Sequence, residues 1–214
     1  QTVPIAMKKN LITFGSVVAL LGALLFSIVP TDPAIAKEQN PTLAADSPLV
    51  ALVTNRGTIT LKLDAVRAPN SVKNFLDYVN KGHYNNTLFH RVIAGFMVQG
   101  GGFSPDFEKR ATAAAINNEA DNGLKNLPGS IAMARTGAPH SATAQFFINT
   151  ANNRFLNRTN KSQRGWGYTV FGKVVDGIEV VAQIEQTPSG ASGPFHKDAP
   201  LKAVIIESAT VISQ

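Results

Sequence analysis

Residues Phe89 to Gly102 read FHRVIAGFMVQGGG, two apolar and β-prone runs in which Arg91 and Gln99 stand out. A guanidinium cannot shed its proton in a protein, and setting it among Phe89, Val92, Phe96 and Met97 strips water from it at a cost. A fixed cation and an amide beside an oily surface are therefore the sharpest chemical feature of the chain. Rival chemistries lack a constellation. There is no cysteine, hence no disulfide, thiolate metal site or thiol nucleophile. His83, His90, His140 and His196 lie far apart without carboxylates at metal-ligand spacing, which assigns them structural or surface roles and leaves no metal or other cofactor to expect. Gly100-Gly101-Gly102 lacks the Lys-Ser/Thr of a phosphate loop and reads as a turn. No G-x-S-x-G elbow occurs. What remains is Arg91, Gln99 and a set of phenylalanines: Phe96, Phe146, Phe147, Phe155 and Phe171.

The elements that must position these residues are short. Leu49 to Val53 and Thr58 to Leu63 flank Asn55-Arg56-Gly57, which predicts a hairpin. Ile59, Leu61 and Leu63 alternate with polar residues, so one face of the second strand is buried. From Ala68 to Gly82 the apolar positions Val72, Phe75, Leu76 and Val79 follow helical spacing, with Pro69 at the start and Gly82 at the stop. Further strands are predicted at Thr87 to Val92, Phe96 to Gln99, Ser130 to Ala134, Gln145 to Asn149, Thr169 to Val175 and Val204 to Ile212, and a second helix at Gly177 to Gln186. Two helices far apart among about eight strands do not give the alternation of a parallel βαβ sheet. The pattern suits a mainly β fold, an antiparallel barrel whose ends are plugged by helices and which leaves no open edge.

Composition bounds the rest. The chain has 214 residues, 44% hydrophobic and 16% charged, as expected for a globular protein. Its net charge of +6 comes from scattered lysines and arginines, with no basic block longer than Lys109-Arg110, which argues against nucleic-acid binding. Near the N-terminus, Lys8 and Lys9 precede the uncharged run Leu11 to Val29, and Ala34-Ile35-Ala36 follows. Basic start, apolar run and small residues together predict a secretory signal peptide, cleaved after Ala36. At about 19 residues the run nearly spans a bilayer, so an uncleaved anchor is the rival. The expected organisation is an upstream extension and signal over residues 1–36, a linker over 37–48, and one domain over 49–214. Export to the periplasm follows from that reading, with contact to the membrane only if the signal stays.

Three stretches carry a family resemblance: FHRVIAGFMVQGG (Phe89 to Gly101), AQFFINT (Ala144 to Thr150) and GYTVFGKVVDGIEVV (Gly167 to Val181). In this order they resemble the cyclophilin peptidyl-prolyl isomerases, and the likeness runs from about Leu49 to Val211. The ending GPFHKDAP, then KAVIIESATV, together with the signal peptide, is similar to the exported bacterial branch. The resemblance implies a closed eight-stranded antiparallel β-barrel capped by two α-helices, in agreement with the pattern above. It implies catalysis of X-Pro rotation in unfolded or partly folded polypeptides, by a monomer.

Residue by residue, the resemblance implies that Arg91 is the catalytic donor and that Gln99 binds substrate and steadies the guanidinium. Phe96, Met97, Phe147 and Leu156 are expected to line a proline pocket. Ala134 and Arg135 are expected to pair through their backbone with the peptide, and Gln145 to contact it. Phe146 and Phe171 are assigned to the core. Three positions depart from the eukaryotic pattern: Phe155 stands for tryptophan, Tyr168 for histidine and Arg135 for asparagine. Both aromatic exchanges keep the pocket apolar, and weak binding of the family's inhibitor cyclosporin is expected from Phe155. The insert Asn157 to Gly167 has no readable role. A cyclophilin-shaped chaperone or scaffold with incidental catalysis is the alternative function, and the retention of both Arg91 and Gln99 favours the enzyme.

Overall fold

A computed structural model describes residues 47–213. The predicted signal peptide, its cleavage point and most of the linker lie outside the described residues. Alternation builds the first hairpin: β1 (Leu49–Thr54) pairs with β2 (Gly57–Leu63), where Ile59, Leu61 and Leu63 are buried while Thr58 and Lys62 face out. The chain then enters α1 (Pro69–Asn80), with Val72, Phe75, Tyr78 and Val79 on its buried face. Next come β3 (Thr87–Ile93), β4 (Met97–Gly100), β5 (Ser130–Met133), β6 (Phe146–Asn149) and β7 (Val170–Asp176). The chain continues through α2 (Ile178–Glu185), β8 (Ser189–Ser192), β9 (Phe195–Pro200) and β10 (Ile205–Ser213).

Eight strands close in the order β1-β10-β3-β4-β6-β5-β7-β2, all neighbours antiparallel. Closure removes the unpaired edges that an open sheet would expose. The barrel interior holds Leu52, Ile59, Leu61, Phe89, Phe146, Ile148 and Phe171, and α1 and α2 add Phe75, Val72, Val181 and Ile184 to the same apolar cluster. Phe146 and Phe171 are fully buried there, as the sequence reading assigns them.

One pair of strands was not anticipated. β8 and β9 form a separate two-stranded hairpin between α2 and β10. It packs across β3 through Phe195, which stacks on His90 and meets the edge of Phe103.

Candidate active site

β6 explains how one strand serves both the core and a site. All four of its residues are buried, so both faces are covered. Phe146 and Ile148 point into the barrel, whereas Phe147 joins Met97, Ala132, Leu156 and Val170 in a second apolar cluster. Phe96, Ala134 and Tyr168 pack against that outer cluster, each half-buried. Adjacent phenylalanines thus take opposite duties, as the two-residue period of a strand requires.

Arg91 reaches the same place through an irregularity. In the β3–β4 pairing Phe89 opposes Gly100 and Arg91 opposes Gln99, which leaves His90 as an extra residue, a bulge. A bulge bends its strand and re-aims the residues after it. Phe89 and Val92, three apart, both face the core as a result. Arg91 emerges half-exposed, its Nη1 donating to Oε1 of Gln99 at 3.4 Å. The amide of Gln99 in turn donates through Nε2 to Oε1 of Gln145 at 3.0 Å.

Arg91, Phe96, Met97, Gln99, Ala134, Arg135, Phe147, Leu156 and Tyr168 together line a hollow of about 100 Å³. Its floor is apolar and the guanidinium stands at its polar side. Gln145 is not in this hollow; it lines an adjoining one with Gly102, Lys109, Arg110 and Thr143. Phe155 also stands apart. Its ring stacks on Phe96 at 5.5 Å and is 73% exposed, so it reaches the hollow only by way of Phe96.

The glycine run after β4 leaves room for this arrangement. Gly101 has φ +81°, and a side chain there would collide with the rings of Tyr84 and Phe146. At Gly102 a Cβ would come within 2.5 Å of the Gln145 amide, so that amide lies directly on bare backbone.

A buried asparagine network holds the far wall. Asn153 donates to the carbonyl of Phe96 and to Oδ1 of Asn149, at 2.8 and 2.6 Å. Asn149 donates to Asn126 and to Ser130. The 3₁₀ turn Arg154–Leu156, which presents Phe155 and Leu156, follows directly on Asn153. Nothing in the local sequence announced this network, because Asn126, Ser130 and the Phe96 carbonyl are brought to Asn149 and Asn153 from elsewhere in the chain.

Arg135 does more than its backbone suggested. Its guanidinium donates to the carbonyls of Gly167 at 2.9 Å, Thr136, Gly137 and Gln163, and lies 4.6 Å over the ring of Tyr168. It therefore docks the insert Asn157 to Gly167 against the site. Trp166, within that insert, meets His140 edge-on at 4.8 Å and lies under the guanidinium of Arg158 at 4.7 Å.

An arginine bound to an amide thus stands over an apolar hollow on the outside of an eight-stranded barrel. The family model described as "Cyclophilin type peptidyl-prolyl cis-trans isomerase/CLD" matches residues 49–211. The chain belongs to the cyclophilin family. It is 58% identical over 163 residues to peptidyl-prolyl cis-trans isomerase B of Escherichia coli strain K12, covering 76% of this chain and 99% of that one. It is 50% identical over 208 residues to peptidyl-prolyl cis-trans isomerase A of Dickeya dadantii, covering 97% and 100%. Among solved structures, a Cryptosporidium parvum cyclophilin crystallised in the presence of the dipeptide Ala-Pro superposes with a TM-score of 0.63 at 30% identity, over 78% of this chain and 99% of that one. This cyclophilin is a peptidyl-prolyl cis-trans isomerase acting on proline-containing peptides.

Proposed function

We propose that Arg91 accelerates X-Pro rotation by donating a hydrogen bond to the prolyl nitrogen of the twisted amide. Rotation about that bond faces a barrier of about 18–20 kcal/mol, because resonance gives the C–N bond partial double-bond character. In the twisted state the nitrogen regains a lone pair, so a donor aimed at it stabilises that state over the planar one. Each 1.36 kcal/mol of such preference is worth about tenfold in rate. Nothing covalent is needed. Phe96, Met97, Phe147 and Leu156 seat the pyrrolidine ring, Tyr168 closes the side of the seat, and Gln99 steadies the guanidinium. Ala134 and Arg135 run alongside the peptide, with Gln145 contacting it from the adjoining hollow.

The observation that carries this reading is the Arg91 guanidinium, its side chain 42% exposed, bound to Gln99 at the mouth of a hollow with room for one small ring. The crystal of the C. parvum relative with Ala-Pro supports the same class of ligand. The test is Arg91→Ala in an isomerisation assay on a short X-Pro peptide. A fall in kcat/KM of about 10²-fold is expected, the size of losing one preorganised donor, with the melting temperature unchanged. A folded variant that keeps most of its activity would remove Arg91 from the mechanism.

The clients in this reading are exported proteins, met in the periplasm after cleavage at Ala36. The charged start, apolar run and A-x-A of residues 7–36 support it. So does the D. dadantii likeness, which at 97% of the chain extends well before Leu49. Mass spectrometry of the secreted material checks the cleavage; an intact Leu11 to Val29 would sink it. The enzyme acts as a monomer, which light scattering checks.

A further inference from the structure

Arg91 has a second neighbour that neither the motifs nor the strand pairing supplies. Oδ2 of Asp198 lies 3.6 Å from the Arg91 Nε. Asp198 belongs to β9, in the hairpin that packs across β3, and its backbone sits at φ +64°. Few residues other than glycine adopt that conformation, though aspartate and asparagine tolerate it best. The β8–β9 pairing shows why it occurs here. Gly190 opposes Ala199 and Ser192 opposes Phe195, so β9 carries two extra residues and bulges at Asp198. Such local strain persists only where the surroundings enforce it. Here they do, because Phe195 is locked against His90 and Phe103 at one end while Ala199 and Pro200 are buried at the other.

We infer that Asp198 is a positioning residue for Arg91, an inference that rests on Arg91 being the donor to the prolyl nitrogen. Arginine offers five N–H groups in a planar fork. The Asp198 carboxylate faces the fork at Nε as an ion pair, and Gln99 accepts a hydrogen bond from Nη1. Among the described residues Nη2 has neither a hydrogen-bond nor an ion-pair partner, which leaves it for substrate. The carboxylate also offsets the cost of stripping water from the cation when a peptide covers the site. A half-exposed pair at this distance adds little to fold stability, so its effect is expected in catalysis alone.

The experiment is Asp198→Asn, chosen because asparagine tolerates the same backbone, assayed beside Arg91→Ala and the double variant. Asp198→Asn is expected to lower kcat/KM about tenfold, through kcat more than KM, as a misplaced catalytic group does. Its melting temperature stays put, and it costs nothing further in the Arg91→Ala background. The Arg91 Nε resonance shifts in Asp198→Asn, because the charge facing it is removed. Activity of Asp198→Asn within twofold of wild type overturns the inference, as does a full tenfold loss on top of Arg91→Ala. Should Asp198→Asn fail to fold, Asp198→Gly, which accepts the same backbone, takes its place: activity within twofold of wild type overturns the inference, and a tenfold loss in kcat at an unchanged melting temperature upholds it. Should Arg91→Ala keep its activity, the donor role itself fails, a result distinct from an inactive Arg91→Ala beside a fully active Asp198→Asn.

Discussion

His90 and Arg91 are neighbours in sequence with opposite fates, because the bulge at His90 turns one side chain under the hairpin and sends the other to the site. The Arg91–Gln99 pair was legible as types in an apolar context, and the phenylalanine pair Phe146-Phe147 as opposite faces of a strand. Asp198 was not, since nothing within a few residues of it speaks of Arg91. The glycine run reads as a turn from sequence alone, and only the fold brings Gly102 against Gln145. That contact yields a prediction. Gly102→Ala must push the Gln145 amide aside, because the new Cβ would lie 2.5–2.7 Å from it. Gln145 is a flexible side chain, so stability changes little. The bond from Gln99 is lost, however, and kcat/KM is expected to fall severalfold at an unchanged melting temperature. A second prediction concerns Phe155, exposed and stacked on Phe96 at the rim. Phenylalanine has no donor to offer a cyclosporin, and one lost hydrogen bond is worth about 0.5–1.5 kcal/mol. The wild type is expected to be inhibited weakly and Phe155→Trp more strongly, with turnover nearly equal. Paired inhibition curves check this; tight inhibition of the wild type removes Phe155 as the determinant.

At the scale of elements, strong periodicity was read within a residue or two. β2 and α1 followed their alternating and helical patterns because burial on one face dictated them. The β8–β9 hairpin escaped because SGASGPFHKDAP shows no alternation; its order comes from Phe195 packing on distant His90 and Phe103. The start of α1 shows the same limit. Ala68 provides no side-chain cap, and the first turn holds no acid. Glu119, from a loop 48 and 49 residues away, takes its place, accepting from the backbone N–H groups of Asn70 and Ser71 at 3.0 and 2.9 Å and from the Ser71 hydroxyl. A carboxylate at a helix N-terminus answers both the unpaired N–H groups and the helix dipole. Glu119→Ala is expected to cost about 1–2 kcal/mol, which calorimetry would read as a drop of roughly 2–4 °C per kcal/mol. An unchanged melting temperature would mean that the cap contributes nothing.

For the molecule as a whole, acid stability should turn on His90. Burial, reinforced by the charge of Arg91, lowers its pKa to about 4, and the Leu88 backbone and Gln145 side chain offset only part of that. The unfolded chain takes up this proton below about pH 6.5 while the folded protein refuses it until about 4. The unfolded state therefore binds more protons between those values, and stability falls as pH drops through that window. The loss attributable to His90 is about 3 kcal/mol at 1.36 kcal/mol per pH unit. His83, also lowered by burial, acts in the same direction. His90→Gln is expected to be flatter than wild type across the window in urea titrations; equal slopes would mean that His90 is not the group responsible.

The seam between β1 and β10 has a consequence for how the chain comes into being. Leu49 lies opposite Ser213, so the first strand of the barrel is clasped by its last. β3 also waits for β10, which meets it at Leu88 and Thr87. In the chain, β1 precedes the strand that completes it by nearly the whole length of the barrel domain. Without β10, two strand edges stay open and no local fragment can close the wall. The wall is thus completed only by pairing strands far apart in the chain, the kind of non-local contact that slows folding.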